Sequence, residues 1–121
     1  MKILVVEDNA DRIECFKQVF ERAELSIVET SYDAIKLLKK NQYDFIFLDH
    51  DLGGRNGVDS LDANTGYQVA KQILNSPNKN TPIIVHSLNP TGANNICNLL
   101  QKNVWRIPFS TFNRSVLRKK E

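Results

Sequence analysis

Glu7, Asp8 and Asp49 each stand directly after a short apolar run, where a folded chain can do chemistry with a carboxylate. Phe45, Ile46, Phe47 and Leu48 read as a strand buried on both faces. That run ends abruptly in Asp49, His50 and Asp51, followed by a glycine-rich passage. An acidic group at the C-terminal end of a central parallel strand is where an open α/β sheet places its ligands. Asp49 is the first candidate on that ground. Lys2 to Val6 repeats the pattern and stops at Glu7 and Asp8. Thr81 to Val85 does so again and stops at His86, Ser87, Leu88 and Asn89.

The elements that must position these residues follow from hydrophobic spacing. Asp8 or Asn9 can cap a first helix, in which Ile13, Phe16, Phe20 and Ala23 form one apolar face. Leu25 to Glu29 reads as a second strand. Ser31 can cap a second helix with Ala34, Ile35, Leu37 and Leu38 inside and Lys39 and Lys40 at its end. Gly66 to Leu74 has helical spacing through Val69, Ala70 and Ile73, and Pro77 blocks extension. Pro90 permits a turn before a short fourth helix lined by Ala93, Ile96, Cys97 and Leu100. Val104 to Ile107 is a fifth strand, closed by Pro108. Ser110 or Thr111 then caps a last helix that carries Val116 and Leu117 inward, with Arg118, Lys119 and Lys120 as its solvated end.

Strands alternating with helices at this spacing predict an α/β domain: a five-stranded parallel sheet covered by helices on both sides, a three-layer α/β/α sandwich. Glu7, Asp8, Asp49, Ser87 and Ile107 should converge at its C-terminal edge. The polar passage from Asp49 to Thr65 is long for a compact domain, and such loops are usually functional or mobile.

The 121 residues suit one domain with a full core, here 1–121 with an extended loop at about 50–65. A formal net charge of +2 names no partner, and no basic tract resembles a phosphate-tracking groove. Nothing suggests a DNA-binding domain, a membrane span or a signal peptide, so a cytoplasmic setting is expected. Cys15 and Cys97 lack a nearby second cysteine and are expected as reduced, buried side chains rather than a zinc site.

The set VVED, LDHDL and IIVHS resembles the receiver domain of two-component response regulators over essentially the whole chain. That resemblance implies a flavodoxin-like strand order 2-1-3-4-5. It also implies Mg²⁺ held by Glu7, Asp8 and Asp49, with the backbone carbonyl of Asp51 as a further ligand. Asp49 would be the phosphoacceptor and Ser87 the switch hydroxyl. A histidine kinase or a small phosphoryl donor would be the partner. The physics agrees: carboxylates sharing a crevice repel one another, and a hard cation with oxygen ligands removes that cost. The plain alternative is that Glu7 and Asp8 only cap the first helix and Asp49 only caps its loop.

Several positions depart from the family. Where it carries a lysine before the proline after strand five, this chain has Ile107, and Arg106 should face the other side. Val104 stands at the aromatic switch position, with Trp105 beside it. With Gly66 in the role of the family's glycine before helix three, the preceding loop has about nine extra residues. It brings Arg55, Asn56, Asp59 and Asp62 near the crevice as a lid over a bound phosphate; Arg55 could supply the missing charge, and the plainer reading is a solvated loop arginine.

The two histidines, His50 and His86, flank pocket residues. By strand alternation they point away from Asp49 and Ser87 as packing side chains; alternatively, with Asn89, they manage protons. HDL and HSLN resemble a divergent group of stand-alone receiver-like proteins proposed to process cyclic phosphates on nucleotides or RNA ends. Three functions follow: a receiver phosphorylated on Asp49, a metal-dependent cyclic phosphoesterase, or a non-catalytic receiver that binds a protein partner. A homodimer through helix four and strand five is a further expectation.

Overall fold

A computed structural model describes residues 1–107. Its elements run β1 (Lys2–Val6), α1 (Ala10–Val19), β2 (Glu24–Val28), α2 (Ser31–Lys40), β3 (Phe45–Leu48), α3 (Gly66–Ile73), β4 (Ile83–Val85), α4 (Pro90–Leu100) and β5 (Val104–Arg106). The expected last helix and its Ser110, Thr111, Val116 and Leu117, together with Pro108, lie outside the described residues.

All strand pairs are parallel, in the order β2-β1-β3-β4-β5. The chain moves outward from β1 to β2, then crosses back to place β3 on the other side of β1. The C-terminal ends of β1 and β3 therefore flank the switch point, where an open sheet leaves a crevice. Alternation along the strands makes two cores. Leu4, Val6, Ile46, Leu48, Ile83 and Val85 meet α2, α3 and α4 on one face. Ile3, Val5, Phe45, Phe47 and Ile84 meet Phe16 and Phe20, from α1 and its C-terminal cap, on the other. Phe16 packs edge-on against Phe47 at 5.2 Å; emptying a site of this kind costs about 3–5 kcal/mol.

The helix starts refine the sequence reading. Asn9, not Asp8, caps α1, accepting the Arg12 N–H. Thr30 caps α2, accepting the Asp33 N–H, while Ser31 is already helical and turns its hydroxyl to the Ala63 carbonyl. Asn89 caps α4 ahead of Pro90, which opens the helix because proline needs no N–H at that position. Cys15 is exposed, contrary to expectation, because it falls on the outer side of α1. Among the described residues no helix is long and apolar enough to cross a membrane.

Candidate functional site

The register of the sheet extends past the strand ends and sets one row of residues across its C-terminal edge. Val6 pairs with Leu48, Leu48 with Val85 and Val85 with Arg106. The next position on each strand gives Glu7, Asp49, His86 and Ile107, all on the α1 side by alternation. The Asp49 N–H donates to the Val6 carbonyl, His86 N–H to Leu48 and Ile107 N–H to Val85, which continues the ladder.

Carboxylate oxygens of Glu7, Asp8 and Asp49 lie within 4.8 Å of one another. Asp8 and Asp49 line a cleft of about 330 Å³, together with Asn9, Arg12, Asp51, Gly54, Arg55 and Asn56. Glu7 sits behind them, fully buried. Its Oε1 accepts from His86 Nε2 at 3.0 Å and pairs with Arg12 Nε at 3.1 Å. Its Oε2 accepts the Asp8 and Asn9 N–H groups at 3.0 and 3.2 Å. Burial alone would raise the Glu7 pKa, but hydrogen bonding and charge from His86, the Arg12 charge and the Asn9 N–H outweigh it and hold the carboxyl below its ordinary value.

Asp49 has the opposite balance. Burial, then the neighbouring Glu7 charge and its hydrogen bond, push its pKa up to about 8; Arg12, with a nitrogen 4.0 Å from Oδ2, offsets only part of this. Asp49, a carboxyl that resists ionisation beside the oxygens of Glu7 and Asp8, gives with them a crowded set of oxygen donors that suits a hard divalent cation such as Mg²⁺.

The histidines separate. His86 shares the row of Asp49 and is buried against Glu7 and Phe16, the ring centroids 5.2 Å apart. His50 turns to the other face, under α4. Its Nδ1 lies 2.7 Å from Asp51 Oδ1 and its Nε2 2.7 Å from Ser60 Oγ. A Cβ on Gly92 would collide with the His50 ring, so α4 rests on that histidine. Neither histidine lines the cleft. Alternation thus turns each away from the pocket residue beside it, but it also carries His86 into the acidic row.

Asp51 organises the extended loop. Its carboxylate accepts the Gly57 N–H at 2.7 Å, the Val58 N–H at 3.3 Å and Asn89 Nδ2 at 3.0 Å. Burial opposes ionisation of Asp51, yet the bonds from Asn89, His50 and Gly57 hold its pKa below the usual value. Gly54, at φ +70°, donates its N–H to Asp8 Oδ2 at 2.5 Å. Arg55 makes a two-pronged pair with Asp62 at 2.9 and 3.1 Å, and this loop pair faces solvent. Asn89 joins the network through Asp51 and Val58, whereas Ser87 Oγ accepts the Asn89 N–H at 3.0 Å. Gly66 donates to the His50 carbonyl at 2.8 Å, and a Cβ there would collide with the Asp49 carbonyl. Gly66 therefore has to be glycine where the loop rejoins the sheet.

At strand five, Ile107 packs with the phenylalanine cluster. Arg106 faces α4 and donates to Asn94 Oδ1 at 2.5 Å. It does not replace a cation at Asp49. The residue that sequence reasoning missed is Arg12. Its signal was present: it lies one helical turn before Phe16, on the inward stripe of α1.

Residues 2–102 match the model of the cyclic-phosphate processing receiver domain. The fold is similar to the Mg²⁺-bound receiver domain of the sensor histidine kinase PA1611 from Pseudomonas aeruginosa PAO1, at TM-score 0.71 and 22% identity over 97% of this chain and 90% of that one. A CheY-like response regulator receiver domain from Methylobacillus flagellatus gives TM-score 0.70 and 20% identity, over 98% of this chain and 97% of the other. The response regulator TrrA from Thermotoga maritima, in complex with Mg²⁺ and BeF, gives 0.69 and 24%, over 99% and 96%. No curated protein sequence matches significantly.

Proposed function

This chain belongs to the family of cyclic-phosphate processing receiver domains, and from that premise we propose that it is a metal-dependent phosphoesterase acting on cyclic phosphates of nucleotides or RNA ends. The observation that carries this reading is the cleft itself. Its floor holds the Asp8 and Asp49 carboxylates, and its outer wall is the extended loop, giving about 330 Å³ to hold an ester larger than a phosphoryl group. Asp8, Asp49 and the main-chain carbonyl of Asp51 would hold Mg²⁺, with Glu7 behind them. Bound there, the cation would neutralise charge on the phosphate and orient it.

The chain's own residues do the rest. Gly54 and Asn56 close the outer side of the cleft, and Arg55 stands at its rim, fixed by Asp62. His86 acts through Glu7, and His50 and Asn89 act through Asp51; buried as they are, the histidines position carboxylates rather than pass protons to a substrate. Ser87 helps to set the turn into α4.

A second reading has one supporting observation: Asp49 reaches the cleft from the end of β3, the position of a phosphoacceptor. In that case a histidine kinase or small phosphoryl donor would load Asp49. One experiment separates the two. The protein is incubated with Mg²⁺ and a 2′,3′-cyclic nucleotide, then with Mg²⁺ and acetyl phosphate, beside Asp49→Asn. Ring-opened nucleoside monophosphate, absent in the variant, is the expected result. No ring opening, together with a labile phosphoryl adduct in the wild type alone, moves the conclusion to a receiver.

A further inference from the structure

We infer that Leu88 and the guanidinium face of Arg55 form a seat for a nucleobase, so that the cleft takes a nucleoside phosphate ester rather than a base-free one. The inference rests on the reading of the cleft as a phosphate-ester site and adds the part of the substrate that lies beyond the phosphate. The carboxylates of Asp8, Asp49 and Asp51 supply only part of the cleft lining; Arg55 and Leu88 belong to the remainder. Each is held so that it offers a ligand a flat or apolar surface and little else.

Arg55 is pinned by its edge. Its Nε donates to the Leu52 carbonyl at 3.1 Å, its two terminal nitrogens to Asp62 at 2.9 and 3.1 Å, and Nη2 also to the Asn64 carbonyl at 3.3 Å. A guanidinium donates in its own plane, so these contacts occupy its edge and match its charge, while the side chain keeps 43% exposure. What remains for a ligand is the planar face, which stacks on aromatic rings. Leu88 is 76% exposed and, of the exposed large apolar side chains among the described residues, it alone lines the cleft. Its backbone is fixed by the turn that follows: Ser87 Oγ accepts the Asn89 N–H at 3.0 Å, and Asn89 caps α4 and donates to Asp51 and to the Val58 carbonyl. A lone exposed leucine is ordinary on a protein surface. One that shares a charged cleft with a pinned guanidinium gives a base an apolar contact beside a stacking one. Stacking uses the face that every base has, so the seat accepts any base, whereas a glycerol or sugar ester has no such face to place there.

The test reads binding without turnover. Adenosine 3′-monophosphate, a short RNA strand ending in a 3′-phosphate, and glycerol 2-phosphate are titrated by calorimetry in saturating Mg²⁺. Wild type, Leu88→Ala, Leu88→Tyr and Arg55→Lys are compared. Wild type should prefer a nucleoside phosphate over glycerol 2-phosphate by about tenfold, the effect of one stacked base. Leu88→Ala and Arg55→Lys should each lose most of that preference, the latter because lysine keeps the charge without the face. Leu88→Tyr, which puts a ring on the seat, should increase it, a gain that misfolding does not produce. A preference shown by the free nucleotide, by the RNA end or by both, and lost in these two variants, supports the seat and names the source of the substrate. Equal affinity of the wild type for all three phosphates overturns the seat and leaves the cleft reading standing. A preference that survives either Leu88→Ala or Arg55→Lys also overturns the seat. Mg²⁺ binding without binding of any of these phosphates overturns both.

Discussion

His86 Nε2 lies 3.0 Å from Glu7 Oε1, with both side chains fully buried and 79 positions apart in sequence. The contact joins β4 to β1 across β3, beneath the acidic cleft. Removing the imidazole takes one hydrogen bond from the buried Glu7 carboxylate, which keeps Arg12 and two backbone N–H groups; a hydrogen bond to a charged group contributes about 1.5–3 kcal/mol. We therefore expect His86→Ala to lose about that much stability in urea denaturation at pH 7. Because Glu7 titrates below its unfolded value, its stabilising contribution is complete above that value and is lost as pH falls through the lower, folded one. The gap between wild type and variant should narrow on acidification, and a constant gap would count against the pair.

Asp49 predicts the reverse pH dependence. With a folded pKa of about 8 against a reference of 3.8, the metal-free native state holds a proton that the unfolded chain releases. Stability should fall as pH rises from about 4 to about 8. Asp49→Asn should remove this slope and be more stable than wild type at pH 8, by at least ~1 kcal/mol. Thermal melts from pH 5 to 8 in a chelator would show it. Mg²⁺ at a hundredfold excess over its Kd should stabilise the wild type by about 2.7 kcal/mol and the variant by much less.

Gly92 gives a substitution of unexpected sign. Glycine to alanine inside a helix usually gains about 0.5–1 kcal/mol. Here the added methyl would strike the His50 ring, and overpacking costs about 1–3 kcal/mol. Gly92→Ala should be destabilised in urea melts. His50→Ala in the same chain should recover part of the Gly92→Ala loss, since the collision partner is then gone.

The carboxylate of Asp51 holds the Gly57 and Val58 amides. Asp51→Ala should leave the sheet intact but release the loop, with bonds to a charged acceptor contributing about 1.5–3 kcal/mol each. Hydrogen exchange should show faster exchange at Gly57 and Val58 and unchanged protection in β1 and β3. Unchanged exchange at both amides would mean that other contacts hold the loop.

The sequence alone determined the elements and the acidic set, because both follow from local rules. Apolar runs such as Phe45–Leu48 must be buried strands, alternation with helices requires parallel crossovers, and Glu7, Asp8 and Asp49 then fall at the switch point whatever the side-chain details. Alternation also foretold that Arg106 and Ile107 part company. Only the tertiary structure decided which partners those positions meet. Arg12 was hidden because a charged residue on an amphipathic helix reads as solvent-facing until the helix is docked; the docking of Phe16 on Phe47 carries Arg12 over Glu7. His86 reached the acidic row and His50 the underside of α4 because neighbouring strands fix the register between them, and no single segment encodes it. From sequence the extended loop reads as a lid over a phosphate, with Arg55 either supplying a charge or solvated. In the fold, Arg55 is matched by Asp62, and Asp51 and Asn89 tie the loop to β3 and α4, contacts that exist only once three distant segments pack together.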